Sequence, residues 1–344
     1  AAFANEVFLS ELLKQGGYRT GYIGKWHMGN DQQPGHGFDW TATVEARTYS
    51  DPTYFVNGKQ TPRQGFLTEI NTGYAEEFIN QGDKAQPFFL TLGYLNPHTP
   101  YSGHPQRYYD MYAGTKFDSI GWLPKAPNAL REKEMMNDVV GNIRKCAASV
   151  TALDDQVPRL LKALDTRGVR ENTLVIVAGD NGYLLGRHGL WSKGLASDPI
   201  NMYEELMRVP MIWHWRGKLP VEATRPEMIS SYDFLPTICD VTGVAAPANR
   251  NLCGRSYWPL AQNKALDRKN AWPTTVFGHF RNTEMARDKR FKLIVRNASE
   301  GPNELYDLTQ DAREQANQYE NPEYATVRER LAAELNGWRR RTQS

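Results

Sequence analysis

The chain has 344 residues, of which 40% are hydrophobic and 23% are charged, and this suits one large α/β domain or a large domain with a smaller one attached. A net charge of +2 gives no reason to expect nucleic acid or an anionic membrane as a partner. Three scattered cysteines are too few for a disulfide framework or a zinc site, and no apolar run reaches the length of a membrane span.

Helical segments alternate with apolar strands through the first two thirds of the chain. The pattern predicts a helix over about 4–15, a strand over about 20–25, a long loop, a helix over 66–81 and a buried strand over 87–95. It then predicts a long helix over 131–165 with a kink at Pro158, a buried strand over 173–180, a strand in "RVPMIWHW" and a short helix ending at Gly243. This alternation favours a doubly wound, mostly parallel sheet flanked by helices.

The pattern changes after about residue 250. The stretches "TTVFGHF", "RFKLIV" and "NELYDL" are short strands close together, and a closing helix follows over about 323–338. We therefore predict an α/β domain over residues 1–250 and a smaller C-terminal subdomain over 251–344, in which one helix packs on an antiparallel sheet.

Polar side chains stand at the ends of three predicted strands, and a lysine follows the last one: Lys25 and His27, then His98, then Asp180 and Asn181, then Lys193. In open parallel sheets, ligands bind beyond the carboxyl ends of the strands, so we expect these groups to meet. Taken singly, each is more often an ordinary loop residue, and an isolated Asp-Asn-Gly is more often a turn.

Taken together, these side chains form a chemically coherent set. Asp180 and Asn181 offer hard oxygen ligands, which suit Ca²⁺ or Mg²⁺ better than zinc. A divalent metal with two lysines and two histidines makes a cationic pocket, which suits a tetrahedral oxyanion such as a sulfate or phosphate ester.

The stretch "GYRTGYIGKWHMG" resembles the second signature of the type I sulfatases, the formylglycine-dependent branch of the alkaline phosphatase superfamily. Further stretches resemble blocks of that family in family order: "HGFDW", "NPHTPY", "ASVTALDDQV", "NTLVIVAGDNGYLLGRHGLWSKG", "MYEELMRVPMI", "YDFLPTICDVTGV" and "NELYDL". Because they cover nearly the whole chain, the resemblance implies the fold of that family and the hydrolysis of a sulfuric ester.

The resemblance also implies roles for single residues. Asp180 and Asn181 match two ligands of one Ca²⁺. Lys25 matches a lysine that contacts both the sulfate and the formylglycine, and His27 matches a histidine that bonds the formylglycine hydroxyls and later acts as the base that expels sulfate.

Three more positions are matched in the same way. His98 matches a histidine near the ester oxygen, a candidate acid for the leaving alcohol, and Lys193 matches the second sulfate-binding lysine. His188 either faces the substrate or braces its loop. Tyr203, Glu204 and Arg208 are expected to support the pocket structurally.

Two parts of the family's active site have no counterpart in the sequence. The formylglycine is made from the first residue of a Cys-x-Pro-Ser-Arg type sequence, which this chain lacks, and the aspartate pair that supplies the other calcium ligands is also missing. Both precede the "GKWH" stretch in family order. We therefore expect the native chain to continue upstream of Ala1, and residues 1–344 alone not to hydrolyse sulfate esters.

Three alternatives to sulfate ester hydrolysis differ in what the sequence offers them. A phosphatase or phosphonate hydrolase of the same superfamily is an alternative, although two-metal phosphatases need a second set of His and Asp ligands that the sequence does not offer. A non-catalytic pseudo-sulfatase is supported only by the missing nucleophile. A soluble α/β domain with coincidental motifs would have to match many blocks in order.

The substrate class stays open between an aryl sulfate, a sulfated sugar or polysaccharide, and a small sulfate. The loops over about 30–65 and 100–130 are predicted to form the outer wall of the site. Their aromatic residues either stack on sugar faces or have surface and packing roles: Trp40, Tyr49, Tyr54, Tyr101, Tyr108, Tyr109 and Trp122. His279, Phe280 and Arg281 of the C-terminal sheet are candidates for the same wall. The resemblance alone implies a periplasmic or secreted protein.

Overall fold

The computed structural model describes residues 3, 6–29, 32, 34–44, 49–248, 250–266, 271–297 and 301–342. The chain folds into two compact units, of which the first comprises Ala1–Ser119 and Asp138–Leu174 and the second Ile120–Asn137 and Val175–Ser344. The domain boundary predicted near residue 250 stays a prediction.

The first unit is built on a five-stranded mixed sheet, whose strands are β1 (Arg19–Gly24), β2 (Trp40–Val44), β3 (Thr53–Val56), β4 (Lys59–Pro62) and β5 (Phe88–Gly93). Their order is β4-β3-β2-β1-β5. β1 runs parallel to both β2 and β5, whereas β3 and β4 join in antiparallel pairing. Gly24 pairs with Gly93 in the register of β1 and β5, so these two strands end side by side.

The helices of the first unit are α1 (Leu9–Gln15), α2 (Leu67–Asn80), α3 (Gln106–Asp110), α4 (Val139–Asp154) and α5 (Val157–Arg167). The helix predicted over 66–81 is confirmed. The long helix predicted over 131–165 is two helices that separate at residues 155–156. Pro158 lies in the first turn of α5, where its missing N–H costs no helical hydrogen bond.

The aromatic residues of the loops predicted to form an outer wall lie mostly in the core of the first unit. Tyr49, Tyr54, Tyr101 and Tyr108 are at most 4% exposed. Tyr54 packs in the main apolar cluster, where its hydroxyl donates to Asn71 Oδ1 at 2.6 Å. Packing, one of the roles expected for these aromatic residues, is therefore the role of these four tyrosines, because their rings fill the core.

The second unit contains a two-stranded antiparallel sheet of β6 (Val175–Ala178) and β7 (Met211–His214), together with the helices α6 (Glu204–Met207), α7 (Phe234–Thr242) and α8 (Trp258–Ala261). α7 ends as predicted, with Gly243 in the left-handed region at φ 71°. The expectation that β6 is a buried strand is wrong. Val177 is 43% exposed, and β6 pairs with β7 alone among the described strands.

The C-terminal part of the second unit is an antiparallel sheet covered by one helix, as the sequence predicts. Its strands are β8 (Val276–Phe280), β9 (Thr283–Arg287), β10 (Phe291–Arg296) and β11 (Glu304–Asp307), in the order β11-β10-β9-β8. The helix α9 (Ala325–Thr342) buries Leu331 and Leu335 against Leu293 and Leu305 of the sheet. The α/β fold class, with a separate antiparallel C-terminal sheet and helix, is thus confirmed. Across the described part of the chain, no helix combines the length and apolarity needed to cross a bilayer.

Candidate active site

The turn after β1 carries Lys25 and His27. Gly24 has φ 103°, and a Cβ added there would lie 2.0 Å from the carbonyl oxygen of Gly93, so only glycine fits this close approach of β1 to β5. The Lys25 backbone N–H donates to the same oxygen at 3.1 Å. Lys25 is half-buried, and His27 is exposed with φ 56°.

The residue between them, Trp26, anchors this turn. It is 3% exposed, and its ring meets Tyr22 edge-on at 4.9 Å and Phe38 edge-on at 5.9 Å. A buried tryptophan at this position fixes the backbone on both sides of it. Lys25 and His27 are therefore held just beyond the end of β1.

His98 lies on the loop after β5. Its backbone N–H donates to Leu95 O at 2.8 Å, and its carbonyl oxygen accepts the hydroxyl of Tyr49 at 2.8 Å. Its ring Nδ1 lies 2.5 Å from Thr99 O. Because a carbonyl oxygen only accepts, Nδ1 carries a proton, and Nε2 is left as the nitrogen that can exchange one.

Buried hydrogen bonds of Asn96 fix the loop that carries His98. Sequence reasoning missed this residue. Its Oδ1 accepts from Thr68 Oγ1 at 2.7 Å, and its Nδ2 donates to Ser149 O at 2.9 Å. Both partners are buried, so this side chain ties the end of β5 to α2 and α4. The available signal was an asparagine directly after an apolar strand, in "NPHTPY".

Asp180 and Asn181 follow β6. The residue before this pair and the residue after it each donate a backbone hydrogen bond. Gly179 N–H donates to Pro210 O at 3.2 Å, and Gly182 N–H donates to Leu206 O at 2.9 Å. Asp180 is exposed and Asn181 is half-buried. The two side-chain oxygens are thus available to a ligand, on backbone that is held by the segment around α6.

These two residues fit the chemistry of a Ca²⁺ ligand pair but cannot hold the ion by themselves. Calcium takes six to eight oxygen ligands. The described residues contain no cluster of three or more His, Cys, Asp or Glu side chains that could bind one metal ion. The calcium site stays a prediction, with Asp180 and Asn181 as its partial ligand set.

The His188 ring contacts Tyr203 and Glu205, and Arg187 binds the same carboxylate of Glu205. The ring stacks on Tyr203, with centroids 3.6 Å apart and planes at 6°. Its Nε2 lies 3.3 Å from Glu205 Oε2, and the other carboxylate oxygen of Glu205 accepts from Arg187 at 2.7 Å. Burial opposes ionisation of Glu205, but the hydrogen bonds from His188 and Arg187 outweigh it and lower the pKa of this carboxyl to about 2.

Lys193 is half-buried and follows Ser192, which has φ 86°. No carboxylate of the described residues pairs with its ammonium group. A Cβ placed on Gly194 would lie 3.5 Å from the ring of Phe280, so the end of β8 borders this lysine. His279 on the same strand is exposed.

The candidate residues thus fall into two groups. Lys25, His27 and His98 lie where β1 and β5 end side by side, and we call residues 24–29 and 93–100 the strand-end region. Asp180, Asn181, His188 and Lys193 lie between β6 and β7, and we call residues 179–208 the loop region. The prediction that all seven side chains face one pocket stays a prediction.

The loop region also holds the three residues expected to give structural support. Tyr203 stacks on His188, and Glu204 pairs with Arg287 at 3.0 Å and with Lys292 at 3.2 Å. Arg208 is exposed. Sequence reasoning missed Glu205, whose signal was the second glutamate of "MYEEL".

Comparison with known families identifies the class of protein that this fold and these motifs define. The sulfatase family profile matches residues 3–244, and the profile described as "N-sulphoglucosamine sulphohydrolase, C-terminal" matches residues 186–341. The chain therefore belongs to the sulfatase family.

Relatives and solved structures agree with this assignment. The chain is 25% identical to an N-acetylglucosamine-6-O-sulfatase of Bacteroides thetaiotaomicron, over 93% of this chain and 70% of that protein. It is 26% identical to an ulvan-active sulfatase of Formosa agariphila, over 97% of this chain and 66% of that protein. The chain thus spans about two thirds of the length of these relatives.

Two solved structures show the likeness of fold. One is a protein in complex with its substrate D-glucosamine-2-N,6-O-disulfate, with a TM-score of 0.82 and 23% identity over 97% of this chain and 82% of that one. The other is the phosphonate monoester hydrolase of Agrobacterium radiobacter, with a TM-score of 0.75 and 20% identity over 97% of this chain and 80% of that one.

Proposed function

We propose that this protein hydrolyses a sulfate ester of a carbohydrate, using one Ca²⁺ and a formylglycine nucleophile. The observation that carries sulfate ester hydrolysis is the match of the sulfatase family over residues 3–244. A sugar substrate is supported by the N-acetylglucosamine-6-O-sulfatase among the relatives and by the sulfated glucosamine bound to a structure of similar fold.

The side chains of this chain divide the chemical work. Lys25 and Lys193 supply positive charge to the sulfate oxygens, where charge develops in the transition state. His98 donates a hydrogen bond from Nδ1 to Thr99 O, and in its imidazolium form it delivers the proton of Nε2 to the leaving alcohol oxygen. His27, exposed after β1, acts as the base for a hydroxyl of the nucleophile.

Asp180 and Asn181 would supply part of the ligand set of Ca²⁺ through their side-chain oxygens. When bound, the ion would stabilise the sulfate oxygens electrostatically, and a formylglycine would supply a nucleophilic oxygen. Residues 1–344 contain no Cys-x-Pro-Ser-Arg sequence, so we assign none of them as the nucleophile, and we assign Asp180 and Asn181 as only part of the calcium ligand set.

The test uses the full-length protein with its nucleophile converted to formylglycine. Its rates of hydrolysis of N-acetylglucosamine-6-sulfate, p-nitrophenyl sulfate and p-nitrophenyl phosphate are compared before and after EGTA treatment. We expect turnover of the sulfates to exceed that of the phosphate. EGTA should abolish it, added Ca²⁺ should restore it, and residues 1–344 alone should be inactive.

The other outcomes point to the alternatives. Faster turnover of the phosphate, or of a phosphonate ester, would contradict the proposal and establish phosphoryl chemistry on this fold. A fully converted, calcium-loaded protein that hydrolyses none of these esters would be a pseudo-sulfatase.

A further inference from the structure

Glu205 contacts both parts of the loop region that carry predicted function. A Cβ added to Gly182 would lie 1.8 Å from the Glu205 carbonyl oxygen, so the Glu205 backbone packs closely against the residue that follows Asn181. The Glu205 carboxylate meanwhile binds His188 and Arg187. The Glu205 side chain thus binds His188 while the Glu205 backbone packs against Gly182, so the positions of these two parts of the loop region are coupled.

The charge of Glu205 determines which nitrogen of His188 carries the proton. Arg187 pairs with one oxygen of this carboxyl at 2.7 Å, which favours its ionised form, and an ionised carboxylate only accepts hydrogen bonds. The Nε2 that faces it must therefore be protonated. In neutral His188 this leaves Nδ1 as an acceptor, and no described residue forms a hydrogen bond with Nδ1.

The ring of His188 is also fixed in place. Tyr203 covers one face at 3.6 Å, and the His188 backbone is in the left-handed region at φ 55°. Its turn is held by residues 123–126, since Leu123 N–H donates to Gly186 O at 3.0 Å and Ala126 N–H donates to Gly189 O at 2.8 Å. A ring held this tightly has little rotational freedom left to lose when a ligand binds.

We propose that Glu205 is a positioning residue that keeps His188 protonated at Nε2, so that Nδ1 accepts a hydrogen bond from a hydroxyl group of the sulfated sugar. This inference rests on the proposed function. It makes His188 a determinant of substrate class, because an aryl sulfate has no hydroxyl group to donate.

The test compares two esters in variants of the full-length enzyme. Glu205→Gln keeps the size of the side chain, but its amide donates as well as accepts and no longer fixes the tautomer. His188→Phe keeps a ring on Tyr203 and removes both nitrogens, and it serves if Glu205→Gln does not fold. Glu134→Gln removes an exposed carboxylate of the same unit and is the matched control.

We expect both variants to lower kcat/KM for N-acetylglucosamine-6-sulfate by about 10- to 100-fold, mostly through KM, as for loss of one buried hydrogen bond to substrate. Turnover of p-nitrophenyl sulfate should change less than about 2-fold, and Glu134→Gln should match the wild type on both esters. Nitrogen NMR of the wild-type imidazole should show the proton of neutral His188 on Nε2.

Equal losses on both esters, or no loss on either, would overturn the inference while leaving sulfate ester hydrolysis in place. A proton found on Nδ1 in the wild type would do the same. A wild-type enzyme that hydrolyses neither ester would overturn the proposed function and this inference with it.

Discussion

In the strand-end region, the candidate residues follow neighbouring parallel strands, whereas in the loop region they lie on a long connection without strand pairing of its own. The first is positioned by sheet register, a buried tryptophan and neutral hydrogen bonds such as those of Asn96. The second is positioned by ionised side chains, with Glu205 on His188 and Glu204 on the C-terminal sheet.

The difference follows from what each backbone can satisfy by itself. Paired strands satisfy their N–H and C=O groups by hydrogen bonds to each other. The backbone at a strand end is therefore fixed, and so is the position of a side chain there. The connection from β6 to β7 has no regular strand pairing, so besides scattered backbone hydrogen bonds it is fixed by buried charged pairs, which have strict geometry. The two regions should therefore respond differently to loss of a charge and to acid.

Loss of the buried cation should have the largest effect, and it should fall on the loop region. Lys292 is fully buried, and its ammonium donates to Met202 O at 2.8 Å while it pairs with Glu204 and Glu314. Lys292→Met leaves two buried carboxylates short of a cation and should destabilise the protein by about 3–5 kcal/mol, measured by urea unfolding.

Lys289→Met is the matched control, because Lys289 is exposed on the turn before β10 and its loss should cost less than about 0.5 kcal/mol. Equal costs for the two variants would show that buried charge does not anchor the loop region.

One residue with a proposed role in the reaction is taken from each region for the next comparison. His98→Ala and Lys193→Ala in the full-length enzyme should each lower kcat by roughly 100-fold or more on a sugar sulfate. On p-nitrophenyl sulfate, whose leaving group needs little protonation, the loss in His98→Ala should shrink while that in Lys193→Ala should persist. Steady-state kinetics on both esters measure this difference.

Lys218→Ala, at an exposed lysine of the second unit, should keep wild-type rates and serves as the control. Near-normal turnover in both site variants would show that the assigned roles are wrong. Identical losses on both esters in His98→Ala would remove its role as the acid.

Acid should weaken the strand-end region by a smaller amount. His104 is 6% exposed among aromatic rings, neither ring nitrogen has a hydrogen-bond partner among the described residues, and burial lowers its pKa from 6.5 to about 4. Below pH 6.5 the unfolded chain binds a proton that the folded chain refuses, so stability falls as the pH falls from 6.5 towards 4. The loss between pH 7 and pH 5 should be about 2 kcal/mol.

The measurement is urea unfolding at both pH values, with amide exchange to locate the opening. The ring centroids of Tyr49 and His104 are 4.2 Å apart, and the Tyr49 hydroxyl donates to the His98 carbonyl oxygen. The loop of His98 should therefore open before the loop region does. His104→Phe should lose this pH dependence, whereas His214→Gln, at an exposed histidine, should retain it. An unchanged pH dependence in His104→Phe would exclude His104 as its source.

Local patterns in the sequence were enough for many elements. The strand ends at Gly24 and Gly93, the helix α2, the cap of α7 at Gly243 and the closing helix all follow from apolar periodicity and from glycine at turns and helix ends. The hairpin of β3 and β4 was missed although its signal is present. Asn57 and Gly58, with φ 49° and 82°, are the residues that a two-residue hairpin turn favours.

Other features depend on partners that are distant in sequence. β9 reads as polar, yet Glu284 in it is buried because Arg339 of α9 and Asn297 satisfy its carboxylate. Distant partners also explain three other features: the antiparallel pairing of β6 with β7, the hydrogen bonds of Asn96 and the contact of Glu205 with His188. The sequence by itself determined which segments become strands and helices, because these depend on near neighbours, and its motifs are the source of the proposed site residues. Only the tertiary structure decided which buried polar groups hold those side chains, because each needs a partner brought from elsewhere in the chain.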